Sequence, residues 1–289
     1  MNSEKIITGE KIQQIANVYI GNHEDLYYNP IIASQPEKHL YINHIINEYD
    51  NPRIIFCYTH IIPELSNIIH FFKNPFILIS HNSDYNINSS QSTQHILTCN
   101  KLIYWFSQNV CMFHVKLYML PIGLANSMWS HGKLTAFDYP NINNLIQNKT
   151  KKTYFHFSIH TNKTVREICF NILKNTIEWL PNIEPTDNLL RLASYEFCIC
   201  PEGNGVDCHR IWEALYLKVV PVMINSPFVT TLLRNNIPIV VLNSWDEYII
   251  IEKDLQYSKF IFGNYDINNI IQKITSNDIQ THNLNQFPE

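Results

Sequence analysis

Glycine is the residue that this sequence lacks most clearly. The chain of 289 residues contains 7 glycines, whereas average usage of about 7% would give about 20. Ile, Asn, Lys and Tyr are abundant instead, which indicates a coding bias against glycine along the whole chain. Each remaining glycine therefore calls for a reason, and two of them, Gly203 and Gly205, stand one residue apart.

Long apolar runs and an even set of cysteines are also missing. No run approaches the roughly 18 residues that span a bilayer, and the N-terminal MNSEKIITGEK lacks the apolar core of a secretion signal. The 7 cysteines, odd in number and without an export signal, predict free thiols in a reducing compartment. We therefore expect a soluble protein of the cytoplasm, either a bacterial cytoplasm or, for a viral protein, that of the host.

An excess of basic residues is absent as well. With 21 Lys and Arg against 25 Asp and Glu the net charge is -4, which argues against nucleic acid or an anionic membrane as the main partner. The hydrophobic fraction of 45% and the aromatic fraction of 12% are ample for packed cores, so disorder is excluded for most of the chain. At roughly 150 residues per domain, the length predicts about two domains.

Short apolar runs alternate with longer amphipathic stretches, a pattern typical of β-α units and of an α/β fold. The polar segment 141–152 interrupts the pattern, so we predict an N-terminal domain over 1–148 and a C-terminal domain over 149–265. A helix and tail over 266–289 can pack back on the N-terminal domain. Open parallel sheets of this kind bind ligands at the carboxyl ends of their strands. The pattern predicts strands at 18–20, 54–58, 76–80, 102–106, 115–120, 153–159, 197–200, 219–224 and 237–242, and helices at 39–48, 64–72, 94–99, 164–174, 188–194, 208–217, 228–235 and 266–276.

The most informative segment, residues 197–215, reads as a strand, a glycine turn and a helix. The glycines let backbone N–H groups approach a ligand closely, and the amino end of the following helix favours phosphate through its free donors and partial positive charge. Asp207 is predicted as the N-cap of this helix, and Arg210 as a bidentate phosphate ligand. Glu213, on the same helix face as His209 and Arg210, suits ribose hydroxyls.

Two other interpretations of this segment stay open. It can be a tight strand-to-helix turn with an exposed ion pair between Arg210 and Glu213. It can also be a dinucleotide-binding turn, although Cys208 stands where the third glycine of that fingerprint belongs and the turn comes late in its domain.

The segment Gly203–Pro221, GNGVDCHRIWEALYLKVVP, resembles the nucleotide-sugar motif of exostosin-like glycosyltransferases of the soluble bacterial and viral type. Their pattern is a glycine turn, Asp-x-x-Arg, Trp-Glu-Ala-Leu and Val/Ile-Pro-Val. Lys218 departs from it, because such enzymes usually have glycine there. Earlier in the chain, Pro121-Ile-Gly-Leu and Trp129-Ser-His-Gly132 look similar to segments of the same relatives.

The resemblance implies a GT-B fold, in which two Rossmann-like domains with parallel sheets face a central cleft. It implies an inverting transferase that binds a nucleoside-diphosphate sugar mainly in the C-terminal domain and a glycan or other hydroxyl acceptor mainly in the N-terminal one. Such enzymes generally need no metal, and no Asp-x-Asp occurs in the chain. No cofactor is expected besides the nucleotide sugar. The predicted donor-binding residues are Lys163, Arg166, Gly203, Asn204, Gly205, Asp207, His209, Arg210 and Glu213.

A direct displacement needs a base that accepts the proton of the acceptor hydroxyl. Three predicted strands of the N-terminal half end near titratable groups, which would share one edge of a parallel sheet: His23, His60, and the pair His81 and Asp84. We favour Asp84 as the base, with His81 and His23 as alternatives, although each of them can also be an ordinary loop residue. His60 would share the same sheet edge.

Four further interpretations of the sequence are open. Cys198, Cys200, Cys208 and His209 invite a zinc site, but the Cys-x-Cys spacing lacks a second ligand pair, so buried thiols are favoured. Trp105 and Trp129 can stack on sugars or belong to the cores. As a whole, the chain can be a non-catalytic nucleotide- or glycan-binding module, or an NAD-dependent oxidoreductase.

Overall fold

The computed structural model describes residues 3–22, 24, 33–42, 54–132 and 134–276. The chain divides into two compact units. The N-terminal unit comprises Ile7–Pro121 and Tyr265–Glu289, and the C-terminal unit comprises Met1–Ile6 and Ile122–Asn264. The change of unit therefore lies at 121/122, whereas the sequence pattern places a boundary at 148/149. Among the described helices, none combines the length and the apolar character that crossing a membrane requires.

The N-terminal unit is built on a parallel sheet of six strands in the order β2-β1-β3-β4-β5-β6. Every residue of β3 and β4 is buried, as expected for parallel strands that are covered on both faces. The strands are β1 (Val18–Gly21), β2 (His39–Tyr41), β3 (Ile54–Tyr58), β4 (Phe76–His81), β5 (Leu102–Ser107) and β6 (Leu117–Met119). Its described helices are α1 (Gly9–Gln14), α2 (Ile62–Ile68), α3 (Gln91–Leu97) and the late helix α10 (Ile267–Thr275), whose Ile267 and Ile274 lie in the core of this unit.

One predicted helix of this unit is wrong where it can be checked. Residues 39–41 form strand β2, which pairs in parallel with β1, whereas the apolar spacing predicts a helix over 39–48. The pairing with a central strand overrides the local pattern, and residues 43–48 lie outside the described part. The strand predicted at 115–120 is shorter and covers Leu117–Met119.

The C-terminal unit carries a second parallel sheet, of four strands in the order β10-β9-β8-β7. The α/β class with parallel sheets is thus confirmed. The strand predicted at 153–159 ends early, at Tyr154, and a short 3-10 helix follows at Ile159–Asn162. The strands are β7 (Lys151–Tyr154), β8 (Tyr195–Ile199), β9 (Val220–Ile224) and β10 (Val240–Leu242), and the helices are α4 (Ile142–Gln147), α5 (Lys163–Leu173), α6 (Pro185–Leu192), α7 (His209–Tyr216), α8 (Pro227–Arg234) and α9 (Trp245–Ile251).

Lys218 ends helix α7 in the conformation that glycine usually takes. Its φ is 54°, in the left-handed region. The amide of Val219 bonds the carbonyl of Ala214 at 2.8 Å, and the amide of Lys218 bonds that of Leu215 at 3.1 Å, which together form a Schellman motif. The lysine therefore occupies the left-handed position of this motif, at the cost of an unfavourable backbone angle.

We expect Lys218→Gly to be more stable than Lys218→Ala by about 1 kcal/mol, because both variants lose the lysine side chain but only alanine retains the strained φ. Urea unfolding of the two variants measures this difference directly. Equal stabilities would show that the left-handed angle at this position costs nothing.

Candidate functional site

The glycine turn after β8 is held by side chains from the segment that leads into α5. Arg166 donates from Nε to the carbonyl of Glu202 and from Nη1 to that of Ser158, both at 2.8 Å. Asn162 donates from Nδ2 to the carbonyl of Gly203 at 2.8 Å. A Cβ on Gly203 would stand 3.4 Å from Nη2 of Arg166, in ordinary van der Waals contact. Arg166 thus shapes the turn from within.

Residues on either side of this turn differ in exposure. Arg166 is buried, and its guanidinium lies 5.6 Å from the ring centre of Phe157. Lys163 and Asn204 are exposed. The structure therefore places Arg166 behind the turn and leaves Lys163 at the surface of the first turn of α5.

The predicted N-cap of α7 is wrong. The N-cap residue is Cys208, whose side chain makes no capping hydrogen bond. The Asp207 carboxylate points inward, where Oδ1 accepts from Nε1 of Trp212 and Oδ2 from the amide of Ile122, both at 2.7 Å. The two donors, which lie far apart in sequence, hold this carboxylate in the interior.

The amino end of α7 consequently keeps free donors. In the described part of the chain, the amides of Gly205, Cys208 and Arg210 donate to no protein acceptor. Unpaired amides at a helix start, with the partial positive charge of the helix, favour an anion. The start of α7, which the sequence predicts as a phosphate site, is thus not capped by the side chain of its N-cap residue, Cys208.

Arg210 is held in place by two partners. Its Nε donates to Oε2 of Glu213 at 2.7 Å and its Nη1 to the carbonyl of His156 at 2.8 Å. The side chains of Arg210 and Glu213 are 18% and 13% exposed, so this is not the exposed ion pair of the alternative interpretation. In this geometry Nη2 is the nitrogen that makes no hydrogen bond within the described residues.

A second guanidinium, which sequence reasoning missed, lies over the same tyrosine ring as that of Arg210. Arg191 donates from Nη2 to Oδ1 of Asn188 at 3.0 Å. The guanidinium carbons of Arg191 and Arg210 lie 5.6 and 5.3 Å from the ring centre of Tyr154. Arg191 sits on α6, before β8, and no motif links it to the glycine turn, so only the packing around Tyr154 reveals it.

The local electrostatics show an excess of positive charge. Burial, then the neighbouring Arg210 and Arg191, lower the pKa of His156 to about 4. Burial also lowers the pKa of Arg166, with a contribution from Arg210. In the described residues, Glu213 is the one carboxylate that pairs with any of these three guanidiniums. The cluster therefore favours an anionic ligand.

The residues predicted as the base lie in the N-terminal unit. His81 is fully buried, with Nε2 3.0 Å from the carbonyl oxygen of Pro121 and Nδ1 3.0 Å from Oδ1 of Asn82. Asp84 is exposed on the loop after β4. On the same loop Ser83 meets His60, which follows β3, with Oγ 3.3 Å from Nδ1. His23 lies outside the described residues.

The zinc interpretation finds no support in the geometry. The structured ranges contain no group of three His, Cys, Asp or Glu that could hold a metal ion. Cys198 and Cys200 are free and buried. Burial raises the pKa of Cys200 well above its usual value and that of Cys208 to about 11, so these thiols stay protonated near neutrality.

The segment after β6 packs against the start of α7 within the C-terminal unit. Besides the bond from Ile122 to Asp207, Nδ1 of His209 lies 2.9 Å from the carbonyl oxygen of Gly123. The ring of His131 lies 6.2 Å from that of His209. The two short segments that resemble the same family as the glycine turn are therefore neighbours of it.

Comparison with protein families and with curated proteins identifies no relative of the chain. No protein-family model matches the chain, and no curated protein matches it either.

Proposed function

We propose that the chain is a glycosyltransferase that moves a sugar from a nucleoside-diphosphate sugar to a hydroxyl group of a glycan or similar acceptor, with inversion and without a metal. The observation that carries the proposal is the cluster of Arg166, Arg191 and Arg210 against the single carboxylate of Glu213, beside the uncapped start of α7. The resemblance of Gly203–Pro221 to exostosin-like enzymes supports the same conclusion.

The diphosphate binds against the free amides of Gly205, Cys208 and Arg210, where Nη2 of Arg210 adds a donor. As the acceptor oxygen attacks the anomeric carbon, the bond to the leaving phosphate breaks and negative charge grows on the diphosphate. The fixed donors and the guanidinium groups are already positioned around the diphosphate, so they stabilise this negative charge in the transition state. The positive cluster thus takes the place of a metal ion.

Glu213 binds the ribose. One carboxylate oxygen, Oε2, is fixed by Arg210. The other oxygen, Oε1, makes no hydrogen bond within the described residues, so it can accept from a ribose hydroxyl. The same ion pair therefore serves both halves of the nucleotide.

The base is proposed in the N-terminal unit. Asp84 remains our first candidate because it is exposed, whereas His81 is fully buried. The GT-B arrangement is part of the proposal and is supported by the two parallel sheets of six and four strands.

A thermal-shift panel in excess EDTA tests the proposed function. UDP, GDP and their sugar conjugates are added separately, with NADH as the competing ligand class. We expect at least one nucleoside diphosphate to raise the melting temperature and its sugar conjugate to be hydrolysed slowly, since transferases leak sugar to water. Stabilisation by NADH alone would contradict the proposal, and so would stabilisation by nucleotides that appears only when excess Mg²⁺ replaces the EDTA. Binding without any hydrolysis would favour the non-catalytic module.

A further inference from the structure

Three aromatic rings form an array that leads away from the start of α7. Trp129 is 43% exposed, and its ring lies 6.4 Å from that of His131 at an interplanar angle of 21°. His131 is exposed and meets His209 edge-on at 6.2 Å. We call Trp129, His131 and His209 the ring array.

The backbone that presents the ring array is fixed. The amide of Trp129 bonds the carbonyl of Asn126 at 3.0 Å, and the amide of Gly132 bonds the carbonyl of Trp129 at 2.9 Å. A Cβ on Gly132 would stand 1.9 Å from the carbonyl oxygen of Asn126, so only glycine fits in this turn. At the other end, His209 is held 2.9 Å from the carbonyl oxygen of Gly123. A platform that is already ordered loses little entropy when it binds a ligand.

The chemistry of the array matches a sugar ring. An exposed indole presents a flat apolar face, and the imidazole of His131 beside it can donate to or accept from hydroxyl groups. A sugar has the complementary surface, with C–H groups on its faces and hydroxyl groups around its edge. An aromatic residue that served only the core would be buried, as Trp105 is with its Nε1 bonded to Ser80.

The position of the array decides which sugar it receives. His209 is the first residue of α7, so the array begins at the proposed diphosphate site. The ribose is assigned to Glu213, whose partner Arg210 reaches the carbonyl of His156 after β7. His209 instead contacts the segment after β6. The ring on the far side of the diphosphate is the transferred sugar.

We propose that Trp129 and His131 form the subsite for the transferred sugar of the nucleoside-diphosphate sugar, with Trp129 stacking on its ring. This inference rests on the proposed function. It predicts that the array recognises the sugar and contributes nothing to the affinity for the nucleoside diphosphate alone.

The test compares two ligands on matched variants by isothermal titration. The probes are the nucleoside diphosphate that stabilises the protein and its sugar conjugate, taken from the UDP and GDP series. In Trp129→Ala we expect affinity for the conjugate to fall roughly 10-fold, to that of the free diphosphate, whose own affinity stays unchanged. Trp129→Phe should restore most of the loss because it keeps an aromatic face. Tyr139→Ala, at an exposed tyrosine outside the array (48% exposed), should bind both probes as the wild type does.

The outcomes separate this inference from the proposed function. If the wild type binds no nucleoside diphosphate, the proposed function fails and the subsite fails with it. If the diphosphate binds but its conjugates bind no more tightly, or if Trp129→Ala retains the gain from the sugar, the subsite is overturned and the proposed function stands. Equal losses of affinity for both probes in Trp129→Ala would mean that Trp129 contacts the nucleobase or supports the fold. That result would also overturn the subsite.

Discussion

Replacing Arg210 with alanine is expected to lower the turnover of the nucleotide sugar by roughly 10²–10³-fold, the usual loss when one fixed donor to a developing charge is removed. The guanidinium is positioned by Glu213 and by the carbonyl of His156. The loss should appear in kcat as well as in kcat/KM, because the charge on the leaving diphosphate grows in the transition state.

A loss of folding must be separated from this loss of catalysis. Without Arg210 the carboxylate of Glu213, which is 13% exposed, loses its partner at a cost of about 1–3 kcal/mol. The double variant Arg210→Met with Glu213→Gln removes both charges and should melt nearer to the wild type while remaining inactive. Arg234→Ala, at an exposed arginine on α8, is the matched control and should turn over normally. Wild-type turnover by the folded double variant would remove the proposed mechanism.

The imidazole of His156 gives a second readout that does not depend on activity. Burial is the main cause of its low pKa, and Arg210 and Arg191 lower the pKa further. Removing Arg210 should therefore raise the pKa of His156 from about 4 towards the ordinary value near 6.5. Titration of the ring by NMR measures the change. An unchanged pKa would mean that the guanidinium does not act on this imidazole.

The fold could be predicted from sequence wherever a strand is apolar along its whole length. Strand Ile54–Tyr58 is buried throughout, and Val220–Ile224 is buried except at its last residue, so local pattern and final environment agree. The strand His39–Tyr41 could not be predicted, because it forms by pairing with β1, which lies earlier in the chain and is not visible in the local pattern. The unit boundary is equally non-local, since α10 joins the core of the N-terminal unit after the whole C-terminal unit has intervened.

The candidate site shows the same limit. The glycine turn and the face shared by Arg210 and Glu213 follow from the spacing of residues on one helix. The orientation of Asp207 does not, because its partners are Trp212 and the distant amide of Ile122. Arg191 joins the cluster only through the ring of Tyr154. Sequence spacing therefore finds the local ligands of a site and misses the groups that tertiary packing supplies.

Asp207→Asn is expected to destabilise the C-terminal unit by about 2–3 kcal/mol at pH 5. Both oxygens of the buried carboxyl group accept from fixed N–H donors, those of Trp212 and Ile122. An asparagine has one oxygen and one NH₂ group, so one buried donor would face another donor and remain unsatisfied. The matched control is Asp254→Asn, at an exposed carboxylate, whose effect should lie within about 0.5 kcal/mol of zero.

The cost of Asp207→Asn should shrink as the pH rises to 8. Burial raises the pKa of Asp207 to about 7, against the opposing effect of its two hydrogen bonds, whereas the unfolded chain titrates near about 3.9. The folded wild type therefore holds a proton that the unfolded chain has released, and its extra stability is lost as the pH rises through about 7. Asparagine does not titrate, so the variant keeps its stability over the same range. Urea unfolding at pH 5 and pH 8 measures both values, and an equal cost at the two pH values would show that this carboxyl group is ionised throughout.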